Sequence, residues 1–260
     1  MQPTSYSHIN ELLDNLLSQL QHVLVKKLIG LYLYGSLVLG DFDPTISDID
    51  LVAALSSDID EKEFEALQKM HTALATTRKE WDDRIEVCYI SVTALKTVRS
   101  RTSQIANISP GEPFHRRESR KEWLTDWYLV REKGVTLFGP PPKTLIEPIS
   151  KEEFLQAVTD QTKAWREWIH DIQHNRKSQA YAILTMCRAL YAYKNGEQVS
   201  KKQAAMWAEK ELPQWSSVIK KALLWREAWR DEEVNHEATF QETLHFVNCM
   251  IDLIVAPKTE

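Results

Sequence analysis

A glycine-serine turn, Gly35-Ser36, closes the apolar run Leu28 to Tyr34, and two carboxylates, Asp48 and Asp50, open the next apolar run, Ile49 to Leu55. Along a strand, side chains alternate with a period of two residues. Asp48 and Asp50 therefore share one side, and Ile49 and Leu51 take the other. Like charges this close raise each other's pKa unless a cation lies between them. A hard divalent ion with oxygen ligands, above all Mg²⁺ bearing the phosphates of a nucleotide, resolves the repulsion most simply. Glu86 supplies a third carboxylate within the otherwise apolar stretch Arg84–Ile90, on the side opposite Ile85 and Val87. A lone charge on a strand is also a common edge device against aggregation. Beside Asp48 and Asp50 it completes an acidic cluster in which two carboxylates hold the ion and the third accepts the proton of an attacking hydroxyl. The Gly35-Ser36 turn suits the phosphate end of such a substrate. Glycine lets the backbone approach closely, and the Ser36 hydroxyl and the N–H groups after it can donate to phosphate oxygens. Ser47 offers a further donor beside the ion.

These groups need strands to hold them. Leu28–Tyr34, Ser47–Leu55 and Arg84–Ile90 read as strands. Before them, Ile9, Leu12, Leu13, Leu16, Leu17, Leu20 and Leu24 recur at helical spacing within Ser7–Lys27. Glu61–Arg78 reads as a charged amphipathic helix between the second and third strands. The pattern weakens from Ser91 to Ser119, where Ser109-Pro-Gly-Glu-Pro113 reads as a loop. Lys121–Lys133 is expected to be helical, and Gly139-Pro-Pro-Pro142 a rigid connector. Everything after Ser150 carries helical patterning: Lys151–Asn175, Ser178–Lys194, Ser200–Glu211, Gln214–Arg230 and Gln241–Val255. Ser150 with Glu153 makes a capping box for the first of these. The expectation is an α/β domain over residues 1–140, a small mixed sheet with flanking helices, followed by an α-helical bundle over 150–260.

The whole-chain properties narrow the function. A chain of 260 residues with a net charge of −5 lacks the basic bias of proteins that hold long nucleic acids. Cys88, Cys187 and Cys249 are far apart and odd in number, which suits buried thiols in a reducing compartment rather than a zinc site or a disulfide framework. No export signal is visible at the N-terminus, and no apolar run approaches the roughly 20 residues that span a bilayer. A cytoplasmic protein without membrane partners, acting as a monomer, is the expectation.

Gly35-Ser36, Asp48-x-Asp50 and Glu86 together resemble the nucleotidyltransferase core of the DNA polymerase β superfamily. Tyr181-Ala-Ile-Leu-Thr-Met-Cys-Arg188-Ala-Leu-Tyr191, then Gly196, Ser200-Lys201, Ala204-Ala-Met-Trp207-Ala and Leu212-Pro213, is similar to the helical domain of the streptomycin/spectinomycin adenylyltransferases. The resemblance implies transfer of AMP from ATP to a hydroxyl of a small drug-like acceptor. It implies that Asp48 and Asp50 bind magnesium, that Glu86 is the catalytic base, and that Ser36 and Ser47 contact the triphosphate. It also implies that Arg188 and Lys201 meet the nucleotide phosphates. Physically, Arg188 shares a helical stripe with Tyr181, Leu184 and Tyr191, so it is expected to face inward and to need an anionic partner. That partner is a polyphosphate or an intramolecular carboxylate.

Family members that take streptomycin carry acidic residues just before the Arg188 helix, where this chain reads His174-Asn-Arg-Lys-Ser178. That favours spectinomycin over streptomycin. Trp123, His174, Ser178 and Tyr181 are the acceptor-side residues that the resemblance suggests, with core packing as the competing role for Trp123. The basic stretch His115-Arg-Arg-Glu-Ser-Arg120 is either an anion site or a solvated charge run. Two other functions fit the same core. One is a nucleotidyltransferase acting on a protein or RNA acceptor, and the other a nucleotide-binding regulator without turnover.

Overall fold

The computed structural model describes residues 2–227 and 235–255. The chain divides into two compact units, one ending at Ile149 and the other starting at Ser150.

In unit 1, α1 (Ser7–Leu24) leads into β1 (Leu28–Tyr34), a single turn α2 (Ser36–Leu39) and β2 (Ile49–Leu55). α3 (Glu61–Thr77) then crosses over to β3 (Ile85–Ser91). Its start is fixed by a capping box between Asp60 and Glu63. After α4 (Val92–Thr97) come β4 (Ser103–Ser109), β5 (Glu112–Ser119), α5 (Leu124–Lys133), β6 (Val135–Phe138) and the short α6 (Pro142–Leu145). The six strands form one mixed sheet in the order β5-β4-β3-β2-β1-β6. β2 and β3 pair in parallel, as a helical crossover requires, and their neighbours pair antiparallel.

The pleat separates two faces. Leu31, Leu33, Ile49, Leu51, Ala53, Val87 and Tyr89 join the buried stripe of α1 and Leu67, Met70 and Leu74 of α3 in one apolar core. The alternate residues Tyr34, Asp50, Glu86 and Cys88 point to the opposite face. α5 packs on β1, with Trp127 and Val130 buried.

Several expectations are revised. Ser103–Ser119 is a β-hairpin and not an irregular stretch. Its turn runs through Gly111 at φ 81°. β5 is an edge strand whose residues are mostly exposed, so the alternation that marks a half-buried strand is weak there. β6 has four residues, too few to show a period. The proline run after Gly139 includes one helical turn, opened by Pro142, since the first turn of a helix tolerates a missing N–H.

Unit 2 is helical: α7 (Lys151–Trp168), α8 (Arg176–Asn195), α9 (Lys201–Glu211), α10 (Ser216–Glu227) and α11 (Phe240–Val255). Ser150 and Glu153 close their capping box at the start of α7. That helix ends at Trp168 and passes into a 3₁₀ turn, Ile169–Ile172, rather than running to Asn175. α8 is the centre of the bundle, buried on most of its circumference and packed by α7, α9, α10 and α11. It begins on the Asn175 cap and stops at Gly196, which is left-handed at φ 75°. The expected extension of α10 to Arg230 lies outside the described residues.

Candidate active site

The strands bring Asp48, Asp50 and Glu86 together. One ligand oxygen from each lies within 4.8 Å of the others, and all three side chains are half-buried. Asp50 is fixed between two partners in register, Tyr34 on β1 and Glu86 on β3. Asp48 precedes the first β2 residue, Ile49, at the end of a tight loop. The donor set is three carboxylates with no sulfur or imidazole. It fits a hard cation such as Mg²⁺ and does not suit a soft one.

Gly35 is required by its surroundings. Its φ is 71°, and a Cβ there would lie 1.8 Å from Asp50 Oδ2. The backbone thus bends directly over the carboxylate. Next to it, the Ser36 hydroxyl oxygen is buried without a hydrogen-bond partner among the described residues. Ser47 is buried and its Oγ accepts the Asp43 N–H at 3.0 Å, so it also braces the loop carrying Asp48.

Sequence reasoning missed two residues here. Arg84 clamps the same loop: its Nε donates to the Ser47 carbonyl at 3.0 Å, and its Nη2 to the Pro44 carbonyl at 2.9 Å. The guanidinium lies over the Trp81 ring, 4.7 Å from the centroid. These partners are distant in sequence, so no local motif announces them. The second is Asp126, in the first turn of α5. Burial pushes the Tyr34 phenol well up, and the charges of Glu86, Asp126 and Asp50 add to that. Burial likewise raises the Cys88 thiol, again with Glu86 and Asp126 adding. Asp126 therefore shares the electrostatic surroundings of the base. In sequence it reads only as a helix N-terminal carboxylate.

Trp123 stacks on Trp127 with ring centroids 5.5 Å apart, and Arg117 lies over its ring at 5.2 Å. The basic stretch on β5 is largely occupied by internal contacts. Arg116 reaches the carbonyl of Ile59 and pairs with Glu61 at 3.1 Å, while Arg120 pairs with Glu118.

The remaining residues named from sequence lie in unit 2. His174 is exposed and 2.8 Å from Glu237. The Ser178 N–H donates to the Asn175 cap. Tyr181 is 48 % exposed, so the stripe it shares with Arg188 turns outward at that end, contrary to the expected inward face. The Lys201 ammonium lies 4.0 Å from the centre of the Tyr181 ring. Arg188 is half-buried. Among the described residues it forms no ion pair.

Residues 11–105 match the family model of the nucleotidyltransferase domain, and residues 144–252 match that of the aminoglycoside adenylyltransferase C-terminal domain. An Escherichia coli aminoglycoside (3'')(9) adenylyltransferase is 24% identical over 283 residues, covering 98% of this chain and 99% of the relative. A Shigella flexneri protein of the same name is also 24% identical, with the same coverage. The fold is that of the spectinomycin adenyltransferase AAD(9) from Enterococcus faecialis, crystallised with ATP and spectinomycin. The TM-score is 0.71 at 18% identity, covering 92% of this chain and 98% of that one.

Proposed function

We infer that this chain, which carries a nucleotidyltransferase domain followed by an aminoglycoside adenylyltransferase C-terminal domain, transfers AMP from ATP to a hydroxyl of an aminocyclitol antibiotic. The convergence of Asp48, Asp50 and Glu86 under the Gly35-Ser36 turn carries this reading. Spectinomycin is the favoured acceptor and streptomycin the disfavoured one, because residues 174–178 present Arg176 and Lys177 and no carboxylate.

In this reading Asp48 and Asp50 hold Mg²⁺, which would offset the charge of the triphosphate. The Ser36 hydroxyl, buried with no partner among the described residues, donates to a phosphate oxygen, and Gly35 leaves the backbone room to approach. Glu86 accepts the proton of the acceptor hydroxyl as its oxygen attacks the α-phosphorus and pyrophosphate departs. Arg188 and Lys201 take the charge of the β- and γ-phosphates. The enzyme works as a cytoplasmic monomer, and cells expressing it gain resistance. No described helix is long and apolar enough to cross a membrane.

The test is incubation of the purified protein with α-labelled ATP and Mg²⁺, with spectinomycin and streptomycin in separate reactions. Labelled spectinomycin with pyrophosphate release is expected, and little labelled streptomycin. Label appearing instead in protein or RNA of a cell extract would point to a macromolecular acceptor. ATP binding without transfer to any acceptor would point to a regulator.

A further inference from the structure

Of the three clustered carboxylates, Asp50 and Glu86 are held within β2 and β3, and Asp48 alone stands outside a strand. It ends the loop of residues 41–48, whose Pro44 and Thr45 are exposed. Bonds within the loop close its turn: Asp43 Oδ1 accepts the Thr45 N–H at 2.8 Å, and Ser47 Oγ accepts the Asp43 N–H at 3.0 Å. A carboxylate on an unbraced loop samples many positions, and ordering it subtracts from the affinity for an ion. The chain after such a turn therefore needs a brace at Asp48 itself.

One residue holds both peptides that flank Asp48. Arg84, two positions before Glu86, donates from Nε and Nη2 to the Ser47 carbonyl at 3.0 and 2.5 Å. That carbonyl belongs to the planar peptide on the N-terminal side of Asp48. The main-chain carbonyl of Arg84 accepts the Ile49 N–H at 2.9 Å, and that N–H belongs to the peptide on the C-terminal side. Asp48 has two soft backbone dihedrals, and turning either one moves one of these planes. The guanidinium is braced in turn. Its Nη1 donates to the Glu80 carbonyl at 3.3 Å, its Nη2 to the Pro44 carbonyl at 2.9 Å, and it lies 4.7 Å from the centre of the buried Trp81 ring.

We propose that Arg84 is a positioning residue that sets the affinity for magnesium by fixing Asp48 against the strand that carries Glu86. The assignment rests on the adenylyltransferase reading given above. Arg84 acts through Asp48, since the two peptides it holds are those on either side of that one ligand. The planar fork of the guanidinium spans the Ser47 and Pro44 carbonyls together, and the point charge of a lysine ammonium does not reproduce it. Groups that orient a metal ligand change the affinity by about 10- to 100-fold when they are removed.

Binding of Mn²⁺ to the full-length protein without nucleotide, read by electron paramagnetic resonance, tests this. Arg84→Gln should raise the Kd for Mn²⁺ about tenfold or more, and Arg84→Lys by a smaller factor of about threefold. In an Asp48→Asn background, Arg84→Gln should shift the Kd by no more than about twofold, because the ligand it positions is already lost. In steady-state transfer the Mg²⁺ concentration for half-maximal rate should rise in parallel, with KM for spectinomycin within about twofold of wild type. A brace that serves only the fold would lower the active fraction and leave the metal dependence where it was. Should Arg84→Gln not fold, Arg84→Lys carries the same test. An unshifted Kd in a folded variant, or an equal shift in the Asp48→Asn background, overturns the proposal and leaves the adenylyltransferase reading intact. A wild type that neither binds Mn²⁺ nor transfers AMP overturns both.

Discussion

Asp50 and Glu86 stand directly opposite each other across the parallel pair of β2 and β3, and their carboxylates share one small volume with that of Asp48. Parallel pairing sets this row: Ile49 meets Ile85 and Leu51 meets Val87 in the core, so the acids between them meet on the other face. A one-residue slip of either strand would turn its own carboxylate into the apolar core. The register that fills the core also aligns the acids.

Asp48→Asn and Asp50→Asn are expected to lower AMP transfer by about a hundredfold or more at saturating ATP. The Mg²⁺ concentration needed for half-maximal rate should rise in both. A magnesium titration of the initial rate checks this, and an unchanged half-saturation point would remove these residues from the metal site.

Gly35→Ala places a methyl group 1.8 Å from Asp50 Oδ2 at a residue with φ 71°. Alanine at positive φ is strained, and the carboxylate must swing away as well. Stability should fall by about 1 kcal/mol or more, and transfer should fall further than stability alone explains. Urea midpoints and rates measured on the same preparation separate the two effects.

His71 gives unit 1 a pH dependence remote from the catalytic residues. It is 5 % exposed, and its Nε2 lies 2.7 Å from the Tyr89 hydroxyl. Burial pushes its imidazole down from 6.5 to about 4. Between those values the unfolded chain binds a proton that the folded chain refuses, so stability falls as pH drops through that window. The contribution is complete above pH 6.5 and lost by about pH 4, amounting to at most about 3 kcal/mol. Replacing the pair together, His71→Phe with Tyr89→Phe, should flatten this part of the profile in urea titrations. An unchanged slope would contradict the assignment.

The thiols should divide by burial. Cys88 and Cys187 are 1 % and 0 % exposed, and burial pushes the Cys187 thiol up to about 12. Cys249 is half-buried. A disulfide reagent at pH 8 should modify Cys249 first and the other two only on unfolding. Fast modification of all three would mean that the units open readily.

The parts legible in sequence are those set by local periodicity. β1, β2 and β3 show as apolar runs because both of their faces are covered, and the acids stand out as exceptions to that pattern. The capping box of α7 shows because its two residues are three apart. β5 does not show, since an edge strand can carry Arg116, Arg117 and Glu118 in water without cost. Arg84 and Asp126 look like ordinary surface charges, and only partners far away in sequence distinguish them: the Pro44–Ser47 loop for one, Tyr34 and Cys88 for the other. Tyr181 erred in the other direction: it shares the stripe of Leu184, yet it is 48 % exposed, with Lys201 over its ring.

The most direct test of the account is Glu86→Gln, which keeps the shape of the side chain and removes its basicity. AMP transfer to spectinomycin from labelled ATP should fall by about a hundredfold or more, while calorimetry shows Mg·ATP bound nearly as in wild type. Transfer at the wild-type rate by the Gln variant would contradict the assignment of Glu86 as the base.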